Sequence, residues 1–154
     1  MEVVSASSKR VEPRCPYFGE CGGCQYQHID YAAQQRIKLE QVRALFERIG
    51  GMDPALVGGL IPCPAPYGYR NCIMIRRQWD KTRERAVYGF LQHKSRLVVD
   101  VEHCAIAEEA LNEQLREVRA NPPPRNMQKV VLRMMPDDWE MHPDSFYQNN
   151  FHLL

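Results

Sequence analysis

Residues 71–101 read NCIMIRRQWDKTRERAVYGFLQHKSRLVVDV, three runs of β-forming residues separated by two polar breaks, and the fold turns on this stretch. Residues 71–79 place Ile73, Ile75 and Trp79 on one face, residues 86–91 are rich in β-formers, and residues 97–101 alternate Leu97, Val99 and Val101 inward. The charged residues 80–85 fit a hairpin connection, and residues 92–96 fit a second turn. An antiparallel meander is predicted.

Helical periodicity flanks the meander on both sides. Upstream, Asp30 caps a helix running to about Ile49, in which Leu39, Val42, Phe46 and Ile49 recur at spacings of three and four before Gly50 and Gly51 stop it. Residues 52–69 carry Pro54, Pro62, Pro64 and Pro66 with Gly58 and Gly59, the composition of an extended connection. Downstream, a second helix over residues 105–119 aligns Ala107, Leu111, Leu115 and Val118 in one stripe. Glu108 and Glu109 stand in its first turn, and Asn121 with three prolines ends it. Residues 130–134 are a further strand. The whole predicts an α+β fold, a small antiparallel sheet with two helices and a Cys-rich loop. Residues 1–14 read as a flexible lead-in, residues 15–135 as one domain, and residues 136–154 as a tail too short and polar to found another.

Of 154 residues, 44% are apolar and 25% charged, which excludes wholesale disorder and fibrous repeats. The formal charge of +1 argues against a strongly basic nucleic-acid wrapper, although positive side chains can still cluster locally. No run approaches the roughly 18 apolar residues of a membrane span, and the first fourteen residues lack a signal-peptide core. A cytoplasmic monomer with no membrane partner is expected. Six cysteines in a reducing compartment then read as metal ligands or buried thiols, not disulfides.

Cys15, Cys21 and Cys24 form C-x5-C-x2-C within CPYFGECGGCQ, where Gly19, Gly22 and Gly23 free the backbone to turn sulfurs toward a common centre. Three buried core thiols are the plainer alternative. A tetrathiolate site needs a fourth ligand, and Cys104 is chosen because it sits between the third strand and the second helix, whose N-terminus favours a thiolate. Cys63, in the proline-rich connector, and Cys72, opening a strand, read as ordinary thiols; His28 and His103 are left out as ligands. Spacing leaves zinc and an iron–sulfur cluster both open, the single close pair fitting a zinc ribbon less well.

The string CPYFGECGGCQYQHIDYAAQQRIKLEQV, at residues 15–42, resembles the cluster loop and following helix of the RNA uracil-5-methyltransferases that modify ribosomal and transfer RNA. YGYRN at 67–71, VYGFLQHKSRLVVDVEHCAIA at 87–107 and DSFYQNN at 144–150 continue the resemblance in the same order, so it covers nearly all of the chain from Cys15. It implies a [4Fe–4S] cluster on Cys15, Cys21, Cys24 and Cys104. It also implies that Phe146 lies near the target uracil and Gln148 near S-adenosylmethionine, with residues 136–154 leading into a methyltransferase domain beyond Leu154. In such enzymes a cysteine thiolate adds to C6 of a flipped-out uracil, C5 takes the methyl group, and a carboxylate removes the C5 proton. No residue here is assigned to either catalytic role, and the β-barrel often preceding the cluster has no counterpart in the fourteen residues before Cys15. The chain alone is expected to be inactive.

Arg70, Arg76, Arg77, Lys81, Arg83, Arg85, Lys94 and Arg96 concentrate positive charge on the meander, with Tyr67, Tyr69 and Phe90 among them as stacking platforms. Arg70, Arg76, Arg77 and Arg85, with Phe146, are the candidate RNA contacts, and ribosomal RNA is favoured over transfer RNA. A solvated charged hairpin is the competing reading. The competing function is a free-standing iron–sulfur or zinc module with an interaction or electron-transfer role.

Overall fold

Side-chain alternation forms the sheet, and one helix stripe covers it. The computed structural model describes residues 4–135 and 147–153. Strands β1 (Cys72–Asp80), β2 (Arg85–Leu91), β3 (Val98–Asp100) and β4 (Lys129–Arg133) pair antiparallel in the order β3-β2-β1-β4. Helices α1 (Tyr31–Arg48) and α2 (Glu109–Ala120) complete the α+β fold. Contacts divide the chain into two units, Met1–Arg14 with Tyr26–Pro64, and Cys15–Gln25 with Ala65–Leu154. The segment 15–135, read from sequence as one domain, is thus shared between them.

In the first unit Asp30 caps α1 as its position predicts, its carboxylate accepting from the Ala33 N–H at 3.1 Å. Ala33 is the one residue of α1 that is buried, while Val42 is 41% and Ile49 79% exposed. The predicted stripe forms without being covered, because this unit holds only one long helix and irregular chain. The lead-in is not wholly loose. Arg10 bridges Ile29, and the Val11 N–H donates to the His28 carbonyl. Residues 52–69 are irregular apart from one 3-10 turn, Pro54–Leu56.

In the second unit Ile73 and Ile75 of β1, Val99 and Val101 at β3, and Leu132 of β4 pack against Ala107, Leu111 and Leu115. This is the core that the strand alternation and the helix stripe foretell. Two residues predicted inward are not: Trp79 is 53% and Leu97 60% exposed, because both lie past the part of the sheet that α2 covers. Helix α2 also starts later than expected, at Glu109 instead of about Ala105. Residues 105–107 spend their backbone groups elsewhere: Gly68 donates to the Ala105 carbonyl, Tyr69 and Arg70 to Ile106, and Ala107 to Cys104.

At the β1–β2 hairpin the Asp80 carboxylate accepts from the N–H groups of Thr82 and Arg83, which closes the turn. Gly89 lets β3 approach β2 closely, since a Cβ there would collide with the Val99 carbonyl and the Val101 nitrogen. An ion network ties β2, β3 and α2 together. Asp100 meets Arg85 at 2.7 Å and also Arg119, whose Nη1 donates to the Tyr88 and Val101 carbonyls. Among the described residues no helix is long and apolar enough to cross a membrane.

Candidate functional site

The Gly-rich cysteine loop is folded by the end of β2. The Gly22 N–H donates to the Leu91 carbonyl at 2.9 Å and the His93 N–H to Glu20 at 2.8 Å, so Cys21 stands in a short antiparallel bridge with Gln92. Glycine at position 22 suits this approach, since a Cβ there would stand 3.0 Å from the Leu91 oxygen and press on the bridge. Inside the loop Cys21 donates to the Tyr17 carbonyl and Phe18 to that of Cys15, while the Gly23 N–H reaches the Cys21 Sγ at 3.4 Å. The Tyr17 hydroxyl in turn accepts from the Glu102 N–H at 3.1 Å, linking the loop to the segment that carries Cys104.

Cys104 is itself clamped. Asn112, fully buried on α2, accepts from the Cys104 N–H at 2.8 Å and donates back to its carbonyl at 3.3 Å. Cys15, Cys21, Cys24 and Cys104 all belong to the second unit, are half-buried and form no disulfide. Burial pushes the Cys21 thiol up, the Gly23 N–H opposes this, and the charges of Cys24 and Cys15 add to the rise. For Cys104 burial again leads, and Cys24 and Cys15 again push upward. The Ile106 and Ala107 N–H groups pull down without prevailing. The expectation that a helix N-terminus favours the Cys104 thiolate is therefore corrected: α2 begins five residues on, and desolvation outweighs the nearby N–H dipoles.

These couplings put Cys15 and Cys24 within electrostatic reach of both Cys21 and Cys104. Among the described residues, however, no three His, Cys, Asp or Glu side chains are drawn together as tightly as a bound metal ion requires. Burial raises the thiols of Cys21 and Cys104, which favours their protonated, neutral form. In chemistry the donor set fits a tetrathiolate metal or iron–sulfur centre. Cys63 lies in the first unit, where its backbone N–H and carbonyl both bond the Tyr31 hydroxyl, and Cys72 faces Arg133 across the β1–β4 ladder.

The arginines separate into different roles. Arg85 is engaged with Asp100, and Arg70 has its backbone locked against residues 106–108 and bridged to Asn150. Arg76 and Arg77 line a cleft of about 350 Å³ together with Arg96, Gln78 and Gln128. Phe90 packs against the core and is no free stacking platform, whereas the Trp79 ring is open to solvent. Phe146 lies outside the described residues. Gln148 lies within them: its carbonyl accepts from the side-chain amide of the fully buried Asn71 at 2.9 Å, and the Asn71 N–H donates to Asn149 at 3.2 Å. Segments 67–71, 105–107 and 148–150, far apart in sequence, thus meet at Arg70 and Asn71. Sequence reading missed Tyr17, Asn71, Gln78 and Asn112. Only Asn112 leaves a trace there, as a poor helix former placed in mid-helix beside Leu111.

No family model matches the chain. It is 35% identical over 119 residues to an uncharacterized RNA methyltransferase of Halalkalibacterium halodurans, spanning 77% of this chain and 26% of that protein. To an uncharacterized RNA methyltransferase of Aquifex aeolicus it is 36% identical over 140 residues, 91% of this chain and 29% of the relative. A third relative, from Vibrio cholerae, is the 23S rRNA (uracil(1939)-C(5))-methyltransferase RlmD, 32% identical over 120 residues, 78% of this chain and 27% of the relative. The chain therefore spans between a quarter and a third of the length of these relatives. Identity at this level over most of its residues makes the chain a homologue of part of the RNA methyltransferases, and to that family it belongs.

Proposed function

We propose that the chain is the iron–sulfur-bearing, RNA-binding portion of an S-adenosylmethionine-dependent RNA uracil-5-methyltransferase acting on ribosomal RNA. The observation that carries this reading is the similarity to the Vibrio cholerae 23S rRNA methyltransferase over 78% of the chain. Cys15, Cys21, Cys24 and Cys104 are the ligands of a [4Fe–4S] cluster, and the electrostatic coupling of Cys15 and Cys24 to both Cys21 and Cys104 supports the choice of these four. Bound there, the cluster supplies metal–sulfur bonds that cross-link the loop at 15–24 to the segment before α2, which suits a structural role better than a redox one, since methyl transfer needs no electron.

The chain's own residues then do the positioning. Tyr17 and Gly22 dock the loop, and Asn112 fixes Cys104. Asn71 holds the backbone at Gln148, the residue assigned to the S-adenosylmethionine side, while Phe146 is assigned to the target uracil. Arg76 and Arg77 hold RNA from the sheet. The test is metal analysis of anaerobically purified protein, with about four irons and four sulfides per chain expected. Cys104→Ser should lose them and Cys63→Ser should keep them. Stoichiometric zinc without iron, or the opposite behaviour of the two variants, overturns the cluster assignment.

A further inference from the structure

We infer that the cleft bounded by Arg76, Arg77 and Arg96 takes one nucleotide unit of single-stranded RNA, and that Gln78 is the residue that positions Arg96 for it. The inference rests on the RNA-binding reading above and specifies where on the sheet that binding occurs. Among the described residues three arginines line the cleft and no carboxylate does. None of the three makes an ion pair among the described residues, whereas Arg83, Arg85, Arg116 and Arg119 all do. Adjacent strand residues point to opposite faces, so Arg76, on the Gln78 face of β1, and Arg96 supply the uncompensated guanidinium groups of this concavity, and their planar donor forks suit phosphodiester oxygens.

Size and lining argue for more than a lone oxyanion. About 350 Å³ falls at the small end of ligand sites, and Leu91 and Val98 add apolar surface beside the arginines. A phosphate on the arginines leaves that apolar surface for a base or ribose. The Gln128 side chain, which makes no hydrogen bond among the described residues, lies at the same cleft and can meet a base edge. Uncharged RNA-like shape without a phosphate would leave the two charges unanswered.

Gln78 is fully occupied in another way. Its side-chain oxygen accepts from the Val98 N–H at 2.8 Å, and its amide nitrogen donates to the Arg96 carbonyl at 3.4 Å. It therefore pins the end of the β2–β3 connection to β1, which sets Arg96 beside Arg76. The connection's other ties close it on itself or on the cysteine loop: the Gln92 N–H bonds the Leu97 carbonyl, the Ser95 hydroxyl donates to the Gln92 side chain and accepts from the Leu97 N–H, and the His93 N–H bonds Glu20.

The experiment is fluorescence anisotropy of a labelled oligouridine with the whole chain over a salt series. Each phosphate contact contributes about −0.7 to the slope of log affinity against log salt for single strands, so each one lost weakens binding about fivefold near 0.1 M salt. Arg76→Gln and Arg96→Gln should each show that loss and that reduction in slope, while Arg116→Gln, on α2 and paired with Glu109, should show neither. Gln78→Ala should weaken binding as Arg96→Gln does, and the double variant should be no weaker than Arg96→Gln alone. Additive losses would mean Gln78 acts only on stability. Unaltered binding by both the Arg76 and the Arg96 variant overturns the cleft while leaving RNA binding intact. Displacement of the oligouridine by inorganic phosphate at matched ionic strength as readily as by unlabelled oligouridine overturns the nucleotide and leaves an oxyanion site. Absence of binding by the unmodified chain at low salt overturns the RNA-binding reading itself.

Discussion

Asn112 and Asp100 show how single side chains organise this molecule. Asn112 bonds both backbone groups of Cys104 from a position with no solvent exposure, so Asn112→Ala leaves the Cys104 N–H without its partner while the carbonyl keeps the Ala107 N–H. The loss should be about 1 to 3 kcal/mol, read as a shift in urea unfolding midpoint, with faster alkylation of Cys104 than in the unmodified chain. Asp100 answers to pH. Burial alone would raise its carboxyl, but the Arg119 hydrogen bond, the Tyr88 N–H and the charges of Arg119 and Arg85 outweigh burial and hold it below the usual carboxylate range. A folded-state value below the unfolded one means its stabilisation is complete above about pH 4 and disappears as pH falls through the lower folded value. Asp100→Asn should cost about 3 kcal/mol at neutral pH and flatten the acid limb of a stability–pH curve; an unchanged acid limb would place the titration elsewhere. Cys15, Cys21 and Cys24 stand out in the sequence as a group because short-range spacing and glycine content carry that signal, whereas Cys104 is 80 residues beyond Cys24. Tyr17, Gln78 and Asn112 do not stand out, because each acts through one or two hydrogen bonds to residues distant in the chain.

At the scale of the element, Gly89 decides how closely two strands lie. A methyl group there would collide with the Val99 carbonyl and crowd Val101, so Gly89→Ala should destabilise by about 1 to 3 kcal/mol through separation of β2 from β3. Gly58→Ala, where nothing lies within 4 Å, is the internal control and should leave the thermal midpoint unchanged. The strands themselves were readable to within about one residue, since alternation of Ile73 with Ile75 and Val99 with Val101 is a local property. What alternation could not reveal is where cover ends. Trp79 and Leu97 obey the same period as their buried neighbours, yet α2 is twelve residues long and stops short of them. The late start of α2 escaped for a related reason: residues 105–107 have helical composition but find backbone partners at 68–70. The stripe on α1 is the mirror case, a correct helix whose apolar spacing says nothing of whether a neighbour covers it.

Over the whole molecule, the division into two units runs against chain order. The loop Cys15–Gln25 belongs with Ala65–Leu154, while the residues on either side of it belong with the other unit. Sequence composition favoured a single domain over 15–135 because a boundary shows itself as a change in residue type, and a short insertion into a distant partner makes no such change. The arrangement matters during synthesis. Cys24 is made 80 residues before Cys104, and the loop's docking sites at Leu91, Gln92 and Glu102 come equally late. At ordinary elongation rates three thiols therefore wait roughly 4 to 16 s outside the ribosome with nothing to lean on. Any inorganic centre they hold must be installed after translation has passed Cys104, and in that interval the nascent loop is open to oxidants and stray metal ions.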